Sequence, residues 1–68
     1  MIKEIDIEVY NHNRAEVKSL LPDGSVLCDL FTLVDEIEVR RDKNISLPSS
    51  EIFELTEEEI KELQPIQE

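Results

Sequence analysis

Arg14-Ala15-Glu16-Val17-Lys18-Ser19-Leu20-Leu21, followed by Pro22-Asp23-Gly24 and then Ser25-Val26-Leu27-Cys28-Asp29-Leu30, is the stretch whose reading decides the fold. Taken as a helix, Asn13 caps it, Glu16 completes a capping box, and Val17, Leu20 and Leu21 share a face. Taken as a strand, it turns back at Pro22 and Asp23, bringing Val17 opposite Cys28 and Ala15 opposite Leu30, with Glu16 and Lys18 outward. The Asn11-His12-Asn13 cluster supplies an earlier turn, across which Ile7 falls against Val17 and Val9 against Ala15. Two separate registers bury the same side chains, and that agreement favours the strand.

Working outward, Ile2–Tyr10 alternates apolar Ile5, Ile7 and Val9 with acidic Glu4, Asp6 and Glu8, the period of two expected of a strand with one buried face. In the preferred register Asp6 faces Lys18, and Arg14 lies diagonal to Glu8. Ser25–Val34 is apolar on both sides, which places it at the centre of the structure or within a barrel wall; a short helical turn from Asp29 is the competing reading. Asp35–Arg41 alternates again, with Ile37 and Val39 inward and Glu36, Glu38 and Arg40 outward. Asp42-Lys43-Asn44 reads as a turn and Ile45-Ser46-Leu47 as a short strand stopped by Pro48.

The C-terminal segment carries the clearest local signal. Thr56 is an N-cap, Glu59 completes its capping box, and Leu55 and Ile60 form a hydrophobic staple. Glu57, Glu58 and Glu59 occupy the first turn, where the helix dipole favours negative charge. Ile60 and Leu63 face inward, and Pro65 ends the helix. The expected architecture is one α+β domain over residues 1–64, a small antiparallel sheet of four or five strands with one short C-terminal helix. An SH3-like barrel is its closed variant, and residues 65–68 are expected to form a frayed tail.

Chemistry is hard to find in these residues. Gly24 is the only glycine, so no glycine-rich phosphate loop is possible. His12 reads as a solvated turn residue, Cys28 as a buried small hydrophobe, and Ser49 and Ser50 as turn residues. Asp6 and Glu8 facing Glu36 or Glu38 would hold a hard cation weakly at best, and a solvated strand face is the simpler reading. The expectation is therefore a non-enzymatic protein with no metal and no cofactor.

Charge points to a partner class. Seventeen Asp/Glu against seven Lys/Arg give a net charge of −10, which disfavours nucleic acid and anionic membranes. Charged Lys3 and Glu4 interrupt any leader-like run, and the single cysteine suits a reducing cytoplasm. The excess is concentrated: residues 51–68 hold seven Glu and one Lys. These features predict a protein-binding module, such as an inhibitor, an antitoxin-like neutraliser or a regulatory protein. It would engage a basic protein surface, including a partner's nucleic-acid-binding groove, through Glu54, Glu57, Glu58, Glu59, Glu62, Glu36 and Glu38. The alternative is a homo-oligomer or accessory subunit joined through sheet edges.

Overall fold

The computed structural model describes residues 1–65. Strands β1 (Ile2–Glu4), β2 (Arg14–Leu20), β3 (Val26–Val34) and β4 (Ile37–Leu47) form one antiparallel sheet in the order β1-β2-β3-β4. A single helical turn, α1 (Ile7–Tyr10), joins β1 to β2, and a 3-10 turn (Ser49–Glu51) leads to helix α2 (Glu57–Glu62). β1 and β4 are not paired with each other, so the sheet is open and the SH3-like closure is not formed. The class is a small α+β fold. The expected tail begins at Pro65, which bridges to Leu20; the rest of it lies outside the described residues.

The decisive stretch is a strand in the expected register, with Ala15 opposite Leu30 and Val17 opposite Cys28. Gly24 N–H donates to the Leu21 carbonyl at 3.0 Å, putting Pro22 and Asp23 at the centre of the turn, where the proline ring presets the first dihedral. Two bulges then flank Asp29. On β2, Lys18 is the extra residue between the Val17–Cys28 and Ser19–Leu27 pairs. On β4, Lys43 and Asn44 together stand opposite Asp29, with Asn44 at φ 59°. The expected turn at Asp42-Lys43-Asn44 is thus a bulge within one continuous strand, because Asn44 N–H bonds the Asp29 carboxylate at 3.1 Å instead of reversing the chain.

The first strand differs most from its expected form. Only Ile2–Glu4 pairs with β2, with Lys3 opposite Ala15, while Ile7 and Val9 are exposed. Asp6 is the cause: its carboxylate accepts the Glu8 N–H at 2.9 Å, its carbonyl accepts the Tyr10 N–H, and the chain coils into α1. Asn11 closes the turn in the left-handed conformation, where its N–H reaches the Ile7 carbonyl. Ile5 stays buried because it bridges to Ile52, and Phe53 N–H donates to the Glu4 carbonyl, covering the free edge of β1.

At the other end, Asp35 and Glu36 both have positive φ (50° and 65°), making the two-residue connection between β3 and β4. Ile37 therefore pairs with Val34 beyond the core, and Val39 is the extra residue of a third irregularity; both were expected inward and both are exposed. The core comprises Ile5, Ala15, Val17, Val26, Cys28, Leu30, Leu47 and Ile52, with Tyr10, Leu20, Ile45, Leu55 and Leu63 packed around it. It sits between one face of the sheet and the segment running from Ile52 to Leu63. The Thr56–Glu59 capping box forms as the sequence indicates.

Candidate functional site

The seven glutamates singled out by sequence fall into two groups on different elements of the fold. Glu54, Glu57, Glu58, Glu59 and Glu62 lie on or just before α2, whose exit is tied to the sheet where the Leu20 N–H meets the Gln64 carbonyl. Leu20 pairs with Val26, the first residue of β3. Glu36 and Glu38 belong to the hairpin past Val34, the last residue of that strand. β3 itself spans about 26 Å, and between its ends Lys3, opposite Ala15, holds Glu59, while Glu54 sits beside Glu4 and Arg14 at the β1 side of the sheet; Glu36 and Glu38 lie on the β4 side.

Within each group the roles divide. Glu59 is held by Lys3 at 2.8 Å and by the Thr56 cap, which lower its carboxyl below the usual range; it serves the fold. Glu38 accepts from Arg41 and is likewise committed. Glu57, Glu58, Glu62, Glu54 and Glu36 are exposed and have no ion pair among the described residues. Glu36 and Glu54 also hold left-handed backbone, φ 65° and 59°, which costs an L-residue roughly 1–2 kcal/mol.

The sheet face away from the core shows the opposite arrangement. Asp29 is 3 % exposed and sits between Lys18 Nζ at 2.9 Å, Arg41 Nη1 at 2.9 Å and Asn44 N–H at 3.1 Å. Burial pushes its pKa up, but the Lys18, Asn44 and Arg41 hydrogen bonds outweigh it and hold the carboxyl at about 2. Arg41 also pairs with Glu16 at 3.1 Å and lies 4.6 Å from the centre of the Phe31 ring, which it seals from water. Arg14 pairs with Glu4 at 3.5 Å. The partners expected for Lys18 and Arg14, Asp6 and Glu8, are displaced because α1 removes both acids from the sheet.

His12 is buried, contrary to its expected place at a solvated loop tip. Its Nδ1 lies 3.0 Å from Thr32 Oγ1 and its Nε2 2.8 Å from Asp42 Oδ2. A hydroxyl, an imidazole and a carboxylate in this order resemble a nucleophile relay, but the surrounding bonds argue for a latch. Thr32 Oγ1 and the Arg40 guanidinium both donate to the Asn11 carbonyl, so the hydroxyl and the nearby cation are spent on holding the end of α1. Asn13 completes the attachment through its side chain, which bonds both the N–H and the carbonyl of Leu33. Cys28 is fully buried, and desolvation followed by the Asp29 charge raises its thiol to about 11, which leaves it unreactive.

Sequence reasoning missed His12 and Asp29 as organising residues. For Asp29 a signal existed: it is the one charge inside the apolar run of β3, with Lys18 one step from its partner Glu16. For His12 none existed locally, since Thr32 and Asp42 are remote in the chain. No group of three or more His, Cys, Asp or Glu able to hold a metal occurs among the described residues, and none of their helices is long and apolar enough to cross a membrane. No protein-family model, curated protein or solved structure matches the chain, so its function is argued from this geometry.

Proposed function

We infer that the chain is a small acidic, non-enzymatic module that binds a basic protein surface, in the manner of an inhibitor, an antitoxin-like neutraliser or a regulatory protein. One observation carries this reading. Lys3, Arg14, Lys18 and Arg41 of the sheet are paired with Glu4, Glu16, Asp29, Glu38 and Glu59, whereas Glu54, Glu57, Glu58 and Glu62 stand exposed without an ion pair among the described residues. Acids that support folding are paired; these add repulsion, which a Lys/Arg-rich surface would relieve. A partner's nucleic-acid-binding groove is one such surface.

Assembly through sheet edges has less support. β4 is the open edge, but its bulges at Val39 and Asn44 and its run Arg40-Arg41-Asp42-Lys43 are devices that discourage strand addition. The test is affinity purification from the native host with wild type and with E57K/E58K/E62K. A Lys/Arg-rich protein should be retained by wild type at low salt, released at moderate salt, and lost in the variant at unchanged fold. Salt-insensitive retention, or no such protein, overturns the reading.

A further inference from the structure

The covering segment shields only part of the core face of the sheet. The segment Ile52–Leu63 packs over the region from Val26 to Leu30, and past Thr32 the same face continues into the hairpin. There Val34 and Ile37 are directly paired, and Val39 follows on the same side; they are 50 %, 64 % and 60 % exposed. Ile7 of α1, 51 % exposed, shares with Val39 a shallow groove of about 320 Å³ lined also by Asn11, Thr32 and Arg40. Val34 and Ile37 thus form an exposed aliphatic pair at the hairpin, and Val39 and Ile7 line the groove beside it, where Thr32 is bonded to His12. Scattered exposed aliphatics are ordinary; aliphatics gathered at one hairpin and the groove beside it are what interaction surfaces look like.

The rim decides what covers it. Asp35 and Glu36 stand exposed at the hairpin tip and Glu8 on α1 beside Ile7, none with an ion pair among the described residues, against one cation lining the groove, Arg40, which donates to the Asn11 carbonyl. A second copy of the chain would set this acidic rim against itself, with −10 on each molecule. We propose that the hairpin patch of Val34, Ile37, Val39 and Ile7 is a docking surface for a protein segment that carries apolar side chains flanked by lysine or arginine. The proposal rests on the reading of a basic partner and adds the apolar anchor and its location. Glu36, left in strained backbone at the rim, belongs to this surface, and the α2 glutamates form the separate, purely electrostatic one.

The experiment is an amide and methyl NMR titration of the full chain with two short peptides, one alternating lysine and leucine, the other alternating lysine and glutamine. The lysine–leucine peptide should shift Val34, Ile37, Val39 and Ile7, and the shifts should persist at moderate salt. In I37T/V39T, which keeps β-branched side chains at exposed positions, its affinity should fall at least tenfold. The lysine–glutamine peptide should perturb Glu57, Glu58 and Glu62 and vanish at moderate salt. If both peptides perturb only α2, or neither perturbs the hairpin, the docking surface is overturned while the electrostatic reading stands or falls on the α2 shifts. Concentration-dependent hairpin shifts without peptide would identify a second copy as the occupant and overturn the proposal.

Discussion

Asp29 and the α2 glutamates are the same chemistry put to opposite uses. Asp29 is buried between two bulges, and each of its oxygens has a cation or an N–H to meet. Glu57, Glu58 and Glu62 point into water with no ion pair among the described residues. The first arrangement fixes register: with Lys18 and Asn44 both drawn to one carboxylate, β2 and β4 kink toward β3 at the same level. The second arrangement fixes nothing beyond a favourable helix dipole at Glu57 and Glu58. A net charge of −10 therefore mixes acids that the fold requires with acids it tolerates.

The sharpest way to break this contrast is Asp29→Ala. It strands Arg41 and Lys18 and releases both bulges, and should cost about 3–5 kcal/mol in urea unfolding. A chain of this size has roughly 3–10 kcal/mol to lose. The pH dependence follows the same residue. Its folded pKa of about 2 lies below the ordinary value near 3.9, so its contribution is full above that value and is lost as pH falls through the folded one. Acid unfolding followed by circular dichroism should accordingly show a transition between about pH 4 and 2 that Asp29→Ala lacks. Next in size, His12→Ala removes the latch and should cost about 2–4 kcal/mol, with exchange of the α1 and Asn13 amides rising most.

Smaller effects sharpen the other side. Thr56→Ala deletes the cap of α2 and should cost about 1 kcal/mol, measured by thermal unfolding. Glu36→Gly relieves left-handed strain in the β3–β4 turn and should stabilise by about 0.5–1 kcal/mol while weakening binding of the lysine–leucine peptide. A residue that makes the fold worse and binding better is what a rim position of a docking surface should look like.

These effects also mark what the sequence could convey. The β2–β3 pairing was legible because Pro22-Asp23-Gly24 fixes the turn and the apolar positions on both sides agree. The capping box at Thr56 was legible because all its parts lie within four residues. Ile2–Tyr10 misled because its alternation is real, but the Asp6 side chain offers the backbone a local bond that competes with strand pairing. The β3–β4 turn was hidden because Asp35-Glu36 lacks the glycine or asparagine that usually announces two positive dihedrals. Charge density singled out α2 as a whole, yet Glu59 there is paired with Lys3, and Glu36 and Glu38 belong to a different element, since composition carries neither pairing nor distance.

The division of the acids is most directly tested by one pair of thermal melts at low salt, E57Q/E58Q/E62Q against Asp29→Ala. The triple variant should melt within about 5 °C of wild type and the single variant at least about 12 °C lower. A triple variant that falls as far as Asp29→Ala would show that the exposed glutamates hold the fold together, and would contradict the account.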